Sequence, residues 1–391
     1  MKFSRRDFLR ASALFLTGVA VSPKQVFSFE SEDRDLQMLV LGDSVMWGQG
    51  LLEKDKFWFL TKQWLENKTN RKVAAHVEAH SGATILWRKD QKYPKDRVTT
   101  FNGELNLSTP TIMQQVDNAV KHYGNNSIKR EDVDLVLVNG GANDIGIANL
   151  LNPSRNQSWM QRKTAEILGE DMPKLLEKIY ISFPQARVVV TGYYPAVSSE
   201  TSTEHICNRL KAVSGIDRYE KIINRFLKFL GVKNRRFDAC ATNFIKERVD
   251  RLVKTLSALS DIWQAESNRY LQQAVNNLNE KYPLSPASGD DQRRAFFVEA
   301  PFGSKNAYAA PETYLWQVVL SEVPGNYKSN DVFYQLREQV CGCKRIRLEG
   351  FSLTKCFIAG TGHPNIAGAR KYADAIEQEF GEVLPLTGWG N

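Results

Sequence analysis

Residues 36–44 read Leu-Gln-Met-Leu-Val-Leu-Gly-Asp-Ser, a mostly apolar run that ends in Gly42, Asp43 and Ser44. A run of this length predicts a buried strand, and glycine followed by aspartate is typical of the turn after it. In an open α/β sheet, residues that follow the carboxyl ends of the strands line the crevice where ligands bind. The sequence therefore predicts that Ser44 projects into such a crevice, which makes it a candidate nucleophile.

Four further strands are predicted from short runs rich in Val, Leu, Ala and Phe, at 72–79, 133–138, 187–191 and 294–298. Stretches with apolar residues three or four positions apart predict helices between them, at 57–66, 111–121 and 160–181. This alternation is typical of a doubly wound fold. We therefore expect an α/β, flavodoxin-like three-layer sandwich with a mostly parallel sheet of about five strands.

Two segments exceed what such a sheet needs, so we expect insertions into one domain at about 204–288 and about 301–354. In the first, apolar residues recur at helical spacing from Ile245 to Leu278 and predict a long helix with one apolar face. A second helix at 218–230 is the expected packing partner. This helical insertion either stabilises the fold or forms a substrate lid or an oligomer contact. The second insertion is irregular and rich in aromatic residues.

The N-terminus has the features of an export signal. Ser4-Arg5-Arg6-Asp7-Phe8-Leu9-Arg10 leads into an apolar stretch at 11–21, which is too short to cross a bilayer. It resembles a twin-arginine signal, so we expect a signal peptide at 1–28, the twin-arginine export machinery as a partner, and a mature domain at 29–391 in the periplasm or outside a bacterial cell. The alternative is a basic amphipathic helix of the mature protein.

The formal net charge of the whole chain is +8. Residues 1–28 contain five basic residues and one acidic residue, so removing them leaves a net charge of +4. A charge of this size without a clustered basic face does not indicate nucleic-acid binding. No later stretch has the apolar length of a membrane span, so we expect neither a nucleic-acid partner nor a stable membrane span in the mature chain.

An exported chain would carry its cysteines into an oxidising compartment, where disulfides persist. We expect a disulfide from Cys356 to either Cys341 or Cys343, and an odd total leaves at least one free thiol. The same three cysteines with His363 are an alternative zinc cluster, although their spacing fits no closed zinc pattern. We therefore expect no metal and no cofactor. The five cysteines are Cys207, Cys240, Cys341, Cys343 and Cys356.

Three later segments carry polar residues of matching chemistry: His80-Ser81-Gly82-Ala83-Thr84, Gly141-Ala142-Asn143-Asp144 and Gly362-His363-Pro364-Asn365. With Gly42-Asp43-Ser44 they resemble, over most of the mature chain, the four blocks of the SGNH, or GDSL, hydrolases. In that family the first-block serine is the nucleophile, a glycine and an asparagine complete the oxyanion hole, and a late histidine is the base. The resemblance implies these roles for Ser44, Gly82, Asn143 and His363.

The residue types suit acyl transfer even without the resemblance. A serine hydroxyl needs a neighbouring base, and an imidazole on the stiff loop before a predicted final helix can supply it. The backbone N–H groups of Ser44 and Gly82 and the amide of Asn143 can converge on an oxyanion if the first three strands are neighbours. We expect Asp43 and Asp144 to brace their loops through side-chain to backbone hydrogen bonds.

The sequence departs from the family at the acid that orients the histidine. That acid lies three residues before the histidine, where this chain has Gly360. We expect either a main-chain carbonyl near Ala359 or Gly360, or the carboxylate of Glu299 after the last strand, to orient His363. Triad enzymes that lose the third member keep part of their activity, so a dyad is compatible with catalysis.

The pattern as a whole predicts an exported serine ester hydrolase that acts on a small-molecule, lipid or glycan ester. One alternative is an O-acyltransferase for envelope glycans, which would use the same residues with a sugar acceptor. Another is a non-catalytic envelope binding protein with a degraded triad. Three tryptophans near the blocks either shape the substrate site or pack in the core: Trp47, Trp87 and Trp316.

Overall fold

A computed structural model describes residues 34–87, 104, 109–125, 128–204, 243–283, 293–320, 327–336 and 359–381. Its centre is a five-stranded sheet in the order β2-β1-β3-β4-β5, with every neighbouring pair parallel. This strand order is that of flavodoxin-like folds, and it confirms the predicted α/β class. The strands are β1 Leu36–Leu41, β2 Val73–Val77, β3 Val133–Val138, β4 Arg187–Thr191 and β5 Ala295–Val298.

Three of the five predicted strands match the observed bounds, because buried parallel strands are covered on both faces and read as continuous apolar runs. All residues of β1 and β4 are buried, as is every residue of β3 except Asp134. The edge strand β2 is mostly half-buried and is shorter than its predicted range of 72–79. The order places the ends of β2 and β3 on either side of the end of β1, where Ser44 follows.

Helices cover both faces of the sheet. The helices α2 (Phe57–Thr69) and α9 (Ile366–Gly381) pack against each other; α2 contacts β2, and α9 contacts β5. The helices α3 (Ile112–Asn125) and α7 (Met172–Ser182) also pack together, and α3 contacts β1. The predicted final helix is observed, and the helices predicted at 57–66, 111–121, 160–181 and from Ile245 to Leu278 lie close to observed ones, whereas the three four-residue helices were not predicted. The helices are α1 Ser44–Trp47, α2 Phe57–Thr69, α3 Ile112–Asn125, α4 Ala142–Ile145, α5 Ile147–Leu150, α6 Gln157–Glu166, α7 Met172–Ser182, α8 Asn243–Lys281 and α9 Ile366–Gly381.

The single helix predicted at 160–181 consists of α6 and α7 joined by a π-helical segment, Ile167–Asp171. Gly169 lies in this segment, and a β-carbon there would lie only 3.1 Å from the ring of Tyr270 on α8. The π-helical segment, whose turn is wider than that of an α-helix, therefore lies where α8 comes close to this part of the chain. Short 3₁₀ turns occupy Glu53–Asp55, Arg130–Asp132 and Ser304–Asn306.

The long helix α8 lies between β4 and β5 in the chain, so it serves as the crossover that two parallel strands require. Its predicted apolar face is buried from Val249 to Leu278 and packs on α6, α7 and β5. The expected partner at 218–230 lies outside the described residues, and among the described elements α8 packs on α6 and α7.

The irregular segment expected at about 301–354 contains a short antiparallel hairpin within its described part, with β6 at Val318–Leu320 and β7 at Tyr327–Ser329. The predicted signal peptide and all five cysteines lie outside the described residues. Within the ranges given above, no helix is long and apolar enough to cross a membrane. The same residues contain no group of three or more His, Cys, Asp or Glu side chains that could hold a metal ion.

Candidate active site

Ser44 is the first residue of α1, directly beyond the end of β1. Asp43 caps this helix, because its Oδ1 accepts a hydrogen bond from the backbone N of Val45 at 2.9 Å. Gly42 has a φ of 149°, and a β-carbon there would overlap the side chain of Asn139. Only glycine fits at this position, so the tight turn that presents Ser44 depends on it.

A buried hydrogen-bond network holds this turn in place. Asp43 is fully buried, and its carboxylate accepts hydrogen bonds from Asn139 Nδ2 at 2.9 Å and from the Tyr193 hydroxyl at 2.7 Å. Burial raises the pKa of Asp43, and the hydrogen bonds from Tyr193, Val45 and Asn139 oppose that rise by favouring the charged form. The brace expected of Asp43 is confirmed.

His363 lies next to Ser44 although 319 residues separate them in the chain. Its Nε2 is 2.7 Å from Ser44 Oγ, and its Nδ1 is 3.2 Å from the carbonyl oxygen of Gly360. Both side chains are partly exposed. The dyad is therefore assembled within hydrogen-bonding distance and open to a ligand, and the Gly360 carbonyl predicted as one orienting group faces the imidazole.

The loop that carries His363 is anchored on both sides. Trp316 N donates to the His363 carbonyl at 2.8 Å, and Gly362 N donates to the Trp316 carbonyl at 2.9 Å. The Tyr194 hydroxyl donates to the Gly362 carbonyl at 2.9 Å. Asn365 Oδ1 accepts a hydrogen bond from Gly368 N at 3.0 Å and so caps the final helix. These contacts fix the imidazole relative to the sheet.

Glu299 does not contact His363. Its carboxylate is exposed and accepts a hydrogen bond from Asn268 Nδ2 on α8 at 2.7 Å. Glu299 follows β5, which lies three strands away from β1 in the sheet order, so the distance across the sheet separates the two groups. Of the two orienting groups that the sequence offered, the structure brings only the Gly360 carbonyl to the ring.

The two residues expected to complete the oxyanion hole lie beyond β2 and β3, the two strands that flank β1. Gly82 adopts a left-handed φ of 86°, and Asn143 lies in the short helix α4. Asn143 Nδ2 donates to the Ala83 carbonyl at 3.1 Å, which ties the two segments together. Asp144 accepts a hydrogen bond from Ile85 N at 3.0 Å, so its predicted bracing role is also confirmed.

His80 is the other histidine in the four segments, and it lies in a structural position. It is buried, with Nδ1 2.9 Å from the Ser81 carbonyl and Nε2 2.8 Å from the Pro110 carbonyl. Burial lowers the pKa of His80, although the two carbonyls and the Glu78 and Asp43 charges favour its charged form. Because main-chain carbonyls occupy both ring nitrogens, His80 is not available as the base.

The three candidate tryptophans differ in how far they are buried. Trp316 is buried, whereas Trp47 and Trp87 are half-buried. Trp47 Nε1 donates to Glu104 at 3.1 Å, and the ammonium group of Lys56 lies 3.2 Å above the centre of the Trp47 ring. One face of Trp47 is therefore covered by a cation, which the sequence did not indicate.

Lys56 and Glu104 belong to a buried polar cluster next to α1. Burial lowers the pKa of Lys56 to about 8, although the Glu104 and Glu53 charges favour the ammonium form. Gln49 Nε2 donates to Glu104, and Gln49 Oε1 accepts a hydrogen bond from the Ser81 hydroxyl in the loop after β2. The cluster thus connects the Ser44 helix to the segment that contains Gly82. No local sequence pattern distinguishes these charged residues from ordinary surface residues.

No protein-family model and no curated protein matches the sequence. Among solved structures, the chain is similar to an extracellular lipase from Streptomyces rimosus, with 12% identity and a TM-score of 0.42, covering 88% of this chain and 99% of that one. It is also similar to a phospholipase A1 from Streptomyces albidoflavus, with 13% identity, a TM-score of 0.40, and coverage of 88% and 100%. A family 3 carbohydrate esterase from Clostridium thermocellum has 12% identity and a TM-score of 0.39, with coverage of 92% and 100%. These similarities are too distant to assign an activity.

Proposed function

We propose that this protein is a serine ester hydrolase of the SGNH type, with Ser44 as nucleophile and His363 as general base. The observation that carries the proposal is the 2.7 Å distance between Ser44 Oγ and His363 Nε2. A serine hydroxyl becomes a competent nucleophile only when a base can accept its proton at hydrogen-bonding distance. The partial exposure of both side chains adds support, because an ester must reach the hydroxyl.

The reaction proceeds in two stages. Ser44 Oγ attacks the ester carbonyl carbon while its proton moves to His363 Nε2, and the resulting tetrahedral oxyanion collapses with cleavage of the ester C–O bond. The imidazolium returns the proton to the leaving alkoxide, which departs as the alcohol. Water then attacks the acyl-enzyme with His363 again accepting a proton, which releases the acid and restores the Ser44 hydroxyl.

The oxyanion would be held by the backbone N–H groups of Ser44 and Gly82 and by the side-chain amide of Asn143. Their segments follow three adjacent strands, and the hydrogen bond from Asn143 to the Ala83 carbonyl joins the segment after β3 to the segment after β2. An amide nitrogen has two protons, so Asn143 can donate to Ala83 and still present a proton to the substrate. Donors fixed in this way stabilise the transition state by about 3 kcal/mol each.

We further propose that the chain is exported by the twin-arginine route and acts on lipid or glycan esters of the cell envelope. The paired Arg5-Arg6 followed by Phe8-Leu9 and a short apolar stretch supports export. Trp47 lies on α1, three residues after Ser44, and the part of its half-buried ring that Lys56 leaves uncovered suits an acyl chain or a sugar ring; we propose the same role for the half-buried Trp87. Transfer of the acyl group to a sugar hydroxyl would need only that a sugar replaces water in the second stage.

The proposal is tested by hydrolysis of short p-nitrophenyl esters by the mature protein, with Ser44→Ala and His363→Ala as variants. We expect both substitutions to lower kcat by about three orders of magnitude or more, since each member of such a pair is needed for nucleophilic attack. Asp374→Asn, a change at an exposed carboxylate on α9, is the matched control and should retain wild-type activity. Release of p-nitrophenol that persists undiminished in Ser44→Ala would refute the assignment.

A further inference from the structure

The space beside Gly360, on the side where a side chain would be, is occupied by the carboxyl group of Asp331. A β-carbon built at Gly360 would lie 2.7 Å from Asp331 Cγ, with Asp331 Oδ2 closer still. Gly360 does not have a left-handed φ, so its backbone would accept a side chain. What excludes a side chain at position 360 is therefore mainly the Asp331 carboxyl group, with Ser329 Oγ next nearest at 3.0 Å.

Asp331 is buried and is fixed in this position. Its Oδ1 accepts a hydrogen bond from Phe333 N at 3.1 Å. On its other side it packs against Gly50 in the loop after α1, where a β-carbon would lie 2.8 Å from Asp331 Cβ. A carboxyl group thus lies wedged between the loop that follows the nucleophile and the turn that carries the base.

One short stretch of chain positions both Asp331 and His363. Trp316 exchanges two main-chain hydrogen bonds with the His363 loop, and the next residue, Gln317, is bonded to Asn330. Gln317 N donates to Asn330 Oδ1 at 2.6 Å, and Asn330 N donates to the Gln317 carbonyl at 2.9 Å. The hairpin β6–β7 therefore delivers Asp331 to the turn by the same segment that holds the imidazole.

Resting on the function proposed above, we propose that Asp331 is a positioning residue for His363, which supplies from the β6–β7 hairpin the negative charge that residue 360 lacks. Its carboxylate lies against Gly360, the residue whose carbonyl faces Nδ1. When Nε2 takes the Ser44 proton, this buried charge stabilises the imidazolium, while the Gly360 carbonyl fixes the ring. Charges in a low-dielectric interior act more strongly on each other than charges in water.

The decisive experiment moves the carboxylate between the two positions. Asp331→Asn should lower kcat/KM by about 10- to 100-fold, since one nearby opposite charge stabilises an ionised group by about 1 to 3 pKa units. Gly360→Asp alone should also be impaired, because two carboxyl groups would compete for one space. The double variant Asp331→Ala/Gly360→Asp should recover to within about tenfold of wild type, since it restores one carboxylate at the same place. A purely structural role for Asp331 would not be rescued in this way.

Two further readouts separate this inference from the proposed function. In Asp331→Asn the acidic limb of the pH profile of kcat/KM should move to lower pH by about one unit, since the imidazolium has lost a stabilising charge. The imidazole titration of His363, followed by ¹H–¹⁵N spectra in a Ser44→Ala background, should shift by the same amount and in the same direction. This second measurement needs no ester hydrolysis, so it decides the inference even if the wild-type protein were inactive on every ester.

Three results would overturn the role of Asp331. These are a kcat/KM of Asp331→Asn within about threefold of wild type, a double variant no more active than Asp331→Asn, or a His363 titration that is the same in Asp331→Asn and wild type. Absence of Ser44-dependent hydrolysis in the wild type, with the titration shift still present, would refute the hydrolase and leave the electrostatic effect of Asp331 on His363 established.

Discussion

Lys56 places an ammonium group in the interior, beside the helix that begins with Ser44. We therefore expect the free energy of unfolding to change with pH in the alkaline range. The lysine is 4% exposed, and burial lowers its pKa from 10.5 to about 8. Between these two values the unfolded chain binds the proton and the folded chain does not, so the free energy of unfolding rises with pH. Because one pKa unit corresponds to about 1.4 kcal/mol, the full gain is about 3 kcal/mol, of which about 2 kcal/mol falls between pH 7 and pH 9.5.

Urea unfolding of wild type and Lys56→Met at pH 7, 8.5 and 9.5 measures this gain, since groups that titrate in both proteins cancel in the difference. We expect wild type to gain about 2 kcal/mol relative to the variant across this range. Lys54→Met is the matched control, because Lys54 is exposed two residues away and should show a constant difference. A difference between wild type and Lys56→Met that stays constant to within about 0.5 kcal/mol would refute the desolvation of Lys56.

Three substitutions test the framework around Ser44. Asn139→Ala removes both hydrogen bonds that this side chain makes with Asp43. We expect urea unfolding to show a loss of about 2 to 4 kcal/mol in the free energy of unfolding, and a loss below about 0.5 kcal/mol would contradict the network. Gln115→Leu removes the two hydrogen bonds from this side chain to the Gly42 main chain. We expect kcat for ester hydrolysis to fall at least tenfold while the far-ultraviolet circular dichroism spectrum stays unchanged. Asn143→Ala should lower kcat by about 100- to 1,000-fold with KM little changed, whereas a rise in KM alone would place this amide outside the oxyanion hole.

The sheet could be predicted from the sequence because each buried parallel strand is a local signal. The run that ends at Leu41 and the run at 133–138 are apolar throughout, and their observed bounds equal the predicted ones. The same strand-end signal explains why Ser44 and the segments of Gly82 and Asn143 meet at one edge of the sheet. It does not explain the approach of His363, which precedes the final helix and was expected as the base only from the resemblance of the four segments. The prediction that Glu299 orients His363 was wrong, because Glu299 follows β5, the edge strand that lies three strands from β1 in the sheet order.

The buried charges near the site could not be predicted, because no short-range pattern marks them. Lys56 and Glu104 read as ordinary surface residues, and their burial depends on how the loops after β1 and β2 pack together. Asp331 reaches Gly360 only through the pairing of β6 with β7 and of Gln317 with Asn330. Contacts of this kind join distant segments, and they arise only when the whole chain has folded.

The most direct test of the proposed chemistry is whether a fluorophosphonate attaches to Ser44 of the mature protein. Intact mass and peptide mapping after reaction with the probe should show one adduct, located on Ser44, that is absent in Ser44→Ala and forms far more slowly in His363→Ala. Such a pattern requires a serine whose hydroxyl is activated by the imidazole 2.7 Å away. An unmodified Ser44 under conditions that label a known serine esterase completely would contradict the assignment.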